Sequence, residues 1–323
     1  MNWSDWRNNQ INKLRSAGIE DPATELRIMI SRIAEKKRAI LLFEKSDRVE
    51  DMFSPDELSR IEDTVLRRCN REPLDYILGE TFFYRDSFSV GPGVLVPRQD
   101  SEILVGAALF ALGIDRSFLF RGLGEVPILQ AERTGEPVRI MDLCTGSGCI
   151  GLSISNVLSG YLVSYRTALT ELSEAAEYYA RKNIDHAREP ELIRLFHCNL
   201  FPDTGEIADW WGDASADLIV SNPPYIREDM ISDLMPEVSC FEPKEALSGG
   251  TDGLHVLRAI LNRIGNGLRP GGILLVEHGY DQREAVADLF RAQGFSEISC
   301  LSDFGGQDRV TAGRYTPELI KQE

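Results

Sequence analysis

Val138-Arg-Ile-Met-Asp142-Leu-Cys-Thr-Gly146-Ser-Gly148-Cys-Ile-Gly151 decides the fold. An apolar run, VRIMDL (138–143), passes at once into small residues, and a helical pattern follows at Ile150, Leu152 and Ile154. That order reads as strand, tight turn, helix. Gly146 and Gly148 let the backbone turn sharply and approach a ligand with no Cβ in the way. The glycines at 146, 148 and 151 fit GxGxxG, a spacing shared by many nucleotide-binding sheets. NAD is therefore one candidate ligand, and a purely structural turn is the plain alternative.

Downstream, helices alternate with short apolar strands. The candidates are YLVSY or TAL (161–169), IRLFHC (193–198), DLIVS (217–221), GILLVEH (272–278), ISCL (298–301) and RVTAGRY (309–315). With VRIMDL they make seven. Such alternation predicts a doubly wound, mostly parallel α/β sheet. The last two strands lie close together, so one of them is a candidate to run antiparallel. Upstream, Ile103 to Ile114 is apolar for twelve residues, too short for a membrane span, and reads as a buried helix. Residues 79–97 change period: Phe82, Tyr84, Phe88, Val90, Val94 and Val96 roughly alternate, with turns at Asp86-Ser87 and Gly91-Pro92-Gly93. This predicts a β-hairpin linker.

Residues 1–78 read as helices. Asp21-Pro22 is an N-cap with Pro at the first helical position, and Ser54-Pro55-Asp56-Glu57 is a capping box. Leu26, Ile28, Ile30 and Ile33 form one predicted stripe, and Leu58, Ile61, Val65 and Leu66 another. Trp3, Trp6, Ile11 and Leu14 are expected in the same small core. The domains are thus 1–78, helical; 79–97, hairpin; and 98–323, the α/β sheet. Gly113 to Pro137 reads as a surface insertion. The Lys36-Lys37-Arg38 run is either a solvated helix end or a docking patch.

The chain has 323 residues with 35 Lys+Arg against 51 Asp+Glu, a net charge of −16. Residues 1–80 hold 14 basic and 16 acidic residues, so the acidity lies beyond them. That balance disfavours a protein gripping phosphate backbones and suits small-molecule or protein partners. The N-terminus is polar and lacks the apolar core of a signal peptide. Six cysteines without CxxC and four histidines without zinc spacing predict reduced thiols, a cytoplasmic setting and no metal.

Two further motifs carry chemistry. Glu171 follows the second strand, where an acid accepts hydrogen bonds from a ribose diol; its alternative is a first-turn helix glutamate. Asp217-Leu-Ile-Val-Ser-Asn222-Pro223-Pro224-Tyr225 runs a strand into a rigid turn. Two prolines remove backbone donors. The Asn222 side-chain oxygen and the Pro223 carbonyl remain as acceptors, and an aromatic ring follows at Tyr225. Two acceptors and a stacking ring suit a planar NH2 group.

Asn-Pro-Pro-Tyr resembles the motif of S-adenosylmethionine-dependent enzymes that methylate exocyclic or amide nitrogens. The wider match is similar to the HemK/PrmC family, the protein-(glutamine-N5) methyltransferases of translation release factors, over nearly the whole chain. Arg71-Glu-Pro-Leu-Asp-Tyr76-Ile-Leu-Gly79, Val96-Pro-Arg-Gln-Asp-Ser-Glu102, Glu242-Pro-Lys-Glu-Ala-Leu-Ser-Gly-Gly-Thr-Asp-Gly253 and Asp308-Arg-Val-Thr-Ala-Gly-Arg-Tyr315 carry it. The chain departs from the family in Glu171, where Asp is usual, and in His197-Cys-Asn199-Leu200-Phe201, where Asp and then an aromatic residue are frequent.

The resemblance implies a seven-stranded Rossmann-like methyltransferase sheet with a small N-terminal helical domain that docks the substrate. It implies S-adenosylmethionine held by Asp142, Cys144, Thr145, Gly146, Ser147, Gly148, Glu171, Asn199, Leu200 and Asn222. Asp142 would hold the ammonium and Glu171 the ribose. Asn222, Pro223 and Tyr225 would be catalytic, with Pro224 also on the substrate side. Arg98 and Glu102 either shape the pocket or form an interdomain ion pair. The implied reaction methylates the glutamine of the Gly-Gly-Gln motif of release factors, with no nucleic acid or membrane as partner. Methylation of a ribosomal-protein glutamine or of adenine N6 are the alternatives. A binding module conflicts with the intact motifs, and an NAD dehydrogenase lacks a hydride-transfer acid/base pair. Loop 226–253 is a candidate lid.

Overall fold

Two capped starts build the N-terminal helices. Asp21 accepts the Thr24 N–H ahead of Pro22, and Ser54 with Glu57 closes a reciprocal capping box. Each cap is worth about 1 kcal/mol. The computed structural model describes residues 1–34, 48–114, 136–211 and 215–318. The Lys36-Lys37-Arg38 run and residues 115–135 of the insertion lie outside the described residues. The helices are α1 (Trp3–Ser16), α2 (Pro22–Ile33), α3 (Val49–Met52), α4 (Pro55–Cys69) and α5 (Leu74–Leu78).

Trp3, Trp6, Ile11, Leu14, Leu26, Met29, Ile30, Phe53, Ile61 and Val65 fill one core. The predicted stripes need two corrections. Ile28 is 37% exposed and Leu66 is 62% exposed. Leu26 and Ile30 share a face at i, i+4, so Ile28 between them points away and Met29 takes the inward place. Leu66 lies one step, about 100°, around from the buried Val65.

This compact unit comprises Met1–Glu80 and also Leu234–Phe241. The candidate lid 226–253 is therefore not one loop, since eight of its residues fold with the N-terminal helices. Glu237, in the short helix Pro236–Ser239, explains the attachment. It meets Arg68 at 2.7 Å and Arg71 at 2.6 Å, and Arg68 also pairs with Glu25 at 2.7 Å. The Arg68 side chain is 8% exposed.

The second unit comprises Thr81–Asp233 and Glu242–Glu323. The hairpin is β1 (Glu80–Phe83) and β2 (Asp86–Ser89). Its turn falls at Tyr84-Arg85 rather than at Asp86-Ser87, with Tyr84 at φ 58°. Phe83 is buried and Phe82 exposed, the reverse of the predicted phase. Helix α6 (Glu102–Ala111) is buried almost all round, as its twelve-residue apolar run predicts.

The sheet holds β3 (Val138–Leu143), β4 (Tyr165–Glu171), β5 (Ile193–His197), β6 (Ala216–Ser221), β7 (Leu268–Glu277), β8 (Phe295–Ser302) and β9 (Asp308–Tyr315). Their order is β5-β4-β3-β6-β7-β9-β8. All pairs are parallel except those of β9, which runs antiparallel to both β7 and β8. Helices α7 (Cys149–Gly160) and α8 (Glu174–Ile184) follow β3 and β4. The strand order reverses at β3, so ligands belong outside the carboxyl ends around it. Leu143 pairs with Thr170 and with Ser221, and Ser221 pairs with Val276. The next residues on these four strands, Glu171, Cys144, Asn222 and Glu277, therefore end the sheet in one row. Among the described residues no helix is long and apolar enough to cross a membrane.

Removing Arg68 leaves Glu25 without its cation and Glu237 with Arg71 alone. Breaking a buried pair this way costs about 3–5 kcal/mol. Arg68→Met should lower stability by that order in urea denaturation, followed through Trp3 and Trp6. A loss below about 1 kcal/mol would show that the charge cluster does not hold segment 234–241.

Candidate active site

A cleft of about 450 Å³ opens at the carboxyl ends of β3, β4 and β6. Its size lies in the range of small-ligand sites. The Gly-rich loop makes its floor. Cys144, at φ 56°, and Gly146, at φ 57°, turn the chain in the left-handed region. A Cβ on Gly146 would meet no protein atom nearer than Val94 Cγ2 at 3.8 Å, and the residue lines the cleft. The other two glycines serve packing. A Cβ on Gly148 would come 3.0 Å from Leu152 Cδ1, and one on Gly151 would come 2.5 Å from Leu169 Cδ2. Gly148 is not on the cleft wall.

Asp142 braces this loop from beneath. It is fully buried, and its Oδ2 accepts the Thr145 hydroxyl at 2.6 Å and the Gly151 N–H at 2.9 Å. Burial pushes its carboxyl up to about 7 against the pull of those two hydrogen bonds. Asp142 does not line the cleft. Its Oδ1, Ser147 Oγ and Thr170 Oγ1 are buried without a protein partner, and Ser147 and Thr170 stand on the wall.

Glu171 is fixed by three backbone donors. Its Oε2 accepts the Gly146 N–H at 2.8 Å, and its Oε1 accepts those of Leu172 and Ser173 at 2.9 Å. A carboxylate has about four lone-pair sites, so acceptor capacity remains toward the cleft. Cys144, Thr145, Asn199 and Leu200 line the cleft as well. Leu200 is at φ 67°, a second strained non-glycine on the wall. Cys149 and Cys198, which the motif reading passed over, also face in, and burial raises all three thiols. Raised thiols are inert. Cys144 and Cys198 belong with Leu200 and Val256 to one apolar cluster, which gives the cleft an apolar side.

Asn222 and Pro224 are on the wall; Pro223 is buried and Tyr225 half-buried, and neither of these lines it. Tyr225 instead donates its hydroxyl to Glu277 Oε1 at 3.1 Å, and Gln282 Nε2 donates to its carbonyl at 3.0 Å. Asn222 Nδ2 donates to Ser101 Oγ at 3.1 Å, leaving Oδ1 as the free end of the amide. Arg98 lines the cleft and holds both oxygens of the buried Glu242, at 2.6 and 2.7 Å. That pair lies within the second unit. Glu102 is off the cleft and accepts the Tyr84 N–H at 2.9 Å.

Motif reading missed Ser101 and Glu277. Each left a trace: Ser101 precedes the long apolar helix, and Glu277 is an acid at the end of the apolar run GILLVEH. Among the described residues no cluster of three His, Cys, Asp or Glu is placed to hold a metal ion.

A model of the PrmC N-terminal domain matches residues 5–79. Over 305 residues the chain is 32% identical to the release factor glutamine methyltransferase of Caulobacter vibrioides, covering 94% of this chain and 93% of that one. It is 36% identical over 262 residues to that of Geobacter sulfurreducens, covering 81% and 80%. Among solved structures, the hMettl16 catalytic domain aligns with a TM-score of 0.50 at 14% identity, over 81% of this chain and 83% of that one. That likeness concerns the fold alone.

The Asp142 carboxyl gives a pH test. In the unfolded chain it titrates near about 3.9, and in the fold at about 7. The fold binds this proton more tightly, so the contribution to stability falls as pH rises between those values. Asp142→Asn keeps one acceptor and cannot ionise. Its melting temperature relative to the native chain should rise by several °C between pH 5 and pH 8. A pH-independent difference would contradict the burial argument.

Proposed function

The chain belongs to the release factor glutamine methyltransferase family, and on that premise we propose that it methylates the side-chain amide nitrogen of the glutamine in the Gly-Gly-Gln loop of a release factor, using S-adenosylmethionine. The observation that carries the chemistry is Asn222: it stands on the cleft wall with Nδ2 committed to Ser101 and Oδ1 free. A free acceptor at that point suits any planar NH2, and the relatives select glutamine.

The residues fit the cofactor. Gly146 offers a face without a side chain, and Glu171 keeps acceptor capacity for a ribose diol. Cys144, Cys198, Leu200 and Val256 give an apolar side for a base. Ser147 and Thr170 line the cleft beside the loop, where the amino-acid end would lie. The fully buried Asp142 acts there by holding the loop. When bound, S-adenosylmethionine supplies the methyl group and becomes a neutral thioether as the amide nitrogen takes it.

An amide nitrogen is a poor nucleophile because its lone pair is delocalised. Asn222 Oδ1 orients the NH2 and favours the positive charge that develops on nitrogen. No strong base is needed, since the N–H becomes acidic only as the C–N bond forms. The prolines stiffen the turn, and Tyr225, tied to Glu277, anchors its far end. The helical unit is proposed to dock the release factor, and the enzyme to work in the cytoplasm, where its six unpaired cysteines stay reduced.

Mass spectrometry of a release factor incubated with enzyme and labelled cofactor should find the methyl on the glutamine. Asn222→Ala should lower turnover about 10²–10³-fold with little change in cofactor affinity by calorimetry. Gly146→Val should do the opposite and abolish cofactor binding, since a branched Cβ at that φ fills the cleft. Equal losses of both functions in Asn222→Ala would assign it to the cofactor site instead.

Docking predicts that a short peptide carrying the Gly-Gly-Gln loop is a much poorer substrate than the intact factor. Because Leu234–Phe241 folds with the helices, deleting residues 1–78 would also strip that segment of its support. The cleaner comparison keeps the enzyme whole. kcat/KM for the peptide should fall at least about 10²-fold, a loss of roughly 2.7 kcal/mol. Equal values would show that the loop alone is recognised.

A further inference from the structure

An asparagine amide can turn end for end with almost no change of shape, so only its hydrogen bonds decide which end faces a ligand. The proposed reaction needs the oxygen of Asn222 toward the target NH2; the opposite orientation would set donors against donors. We propose that Glu277, acting through the Ser101 hydroxyl, fixes this orientation, which makes Ser101 and Glu277 positioning residues for the methyl transfer. The inference rests on the reading of Asn222 given above.

Ser101 sits at the N-cap position of α6, where a serine ordinarily accepts a backbone N–H of the first turn. Here it makes no such bond. Its oxygen instead accepts from Asn222 Nδ2 at 3.1 Å. A hydroxyl that accepts still has one proton to donate. Ser101 is close enough to Glu277 to favour its ionised form, and Glu277 Oε2 is buried with no hydrogen-bond partner, an acceptor in want of a donor. Oε1 is taken by the Tyr225 hydroxyl at 3.1 Å. An ionised carboxylate only accepts. It therefore draws the Ser101 proton, leaves the Ser101 oxygen facing Asn222, and turns Oδ1 to the cleft. A protonated Glu277 donates to Ser101 instead. The Ser101 proton then points at Asn222, whose oxygen turns to accept it, and the NH2 faces the cleft.

The groups around Glu277 come from four elements. They are Ser101 and Asp100 before α6, Tyr225 after β6, Arg309 on β9 and the neutral Cys149 thiol at the start of α7. Arg309 favours the charge but is shared with Asp303 at 2.9 Å and Asp100 at 3.6 Å. Burial outweighs these partners and pushes the carboxyl up to about 7. Turnover thus requires the deprotonated form and falls as pH drops through that value.

The experiment measures kcat on an intact release factor between pH 6 and pH 8, with cofactor affinity measured in parallel. The native enzyme should lose about tenfold in kcat from pH 8 to pH 6. Ser101→Ala should be about 10–10²-fold slower at pH 8, bind cofactor within twofold of native, and show no such limb. Ser101→Thr, which restores the hydroxyl, should recover both rate and limb. Glu277→Gln should be slow and flat across the range. Two results overturn the inference while native methylation stands: Ser101→Ala with the native rate and limb, or Ser101→Thr as slow as the alanine variant. A native enzyme that methylates no glutamine overturns the functional reading, and this inference with it.

Discussion

The parallel pairing of β4, β3, β6 and β7 is the constraint on which the site depends. Leu143 is in register with both Thr170 and Ser221, and Ser221 with Val276. Four strands therefore end at one level, and the residues just beyond that level are Glu171, Cys144, Asn222 and Glu277. A shift of one residue in any strand would turn the whole inward set to the other face. The buried runs on β3, β6 and β7 forbid that shift, because Ile140, Leu218 and Ile273 would exchange places with residues of the opposite core. The hydrophobic effect thus holds chemically unrelated side chains in one row with no bond among most of them.

The fold was largely legible because its signals are local. Apolar runs mark the seven strands, and Asp21, Ser54 and Gly148 punctuate helix starts within a few residues. The misreadings are also local, and each is one of phase. Phe82 and Phe83 are adjacent aromatics, and composition cannot say which one of a neighbouring pair goes inward. Ile28 falls between the true members of its stripe, and Leu66 extends its own by one residue too many. The β9 insertion between β7 and β8 was legible only as closeness of two strands, since the pairing partner is a non-local choice.

The site was legible where backbone demands write themselves into residue type, as at Gly146, Asn222 and the two prolines. It was not legible where a side chain is recruited by a distant one. Ser101 is ordinary in sequence, and its diversion from capping to Asn222 spans 121 residues. Arg98 is half of a pair whose partner, Glu242, lies 144 residues away. The resemblance assigned Asp142 to the ligand. Its depth beneath the loop shows a different use, since its Oδ2 joins Thr145 and Gly151 and so closes the loop on itself. Leu234–Phe241 was invisible for the same reason: nothing near Glu237 announces that Arg68 and Arg71 are waiting for it.

Two buried carboxylates, Asp142 and Glu277, stand against the usual logic of a stable core. Burial raises both to about 7, so each weakens the fold wherever it is ionised. An amide of the same shape would avoid that penalty. It would also carry its own N–H groups into a place where only acceptors serve. At Asp142 one oxygen takes two donors at once, and at Glu277 one oxygen takes the Tyr225 hydroxyl while the other is buried without a partner. A carboxylate is the one side chain that accepts from every direction and donates in none. Its charge is the physical means of forcing neighbouring hydroxyl protons inward, so that the groups beyond them turn their oxygens outward to the cleft. The acceptor-rich wall and the unstable acids beneath it are one arrangement, in which stability is given up where the polarity of the surface must be unambiguous.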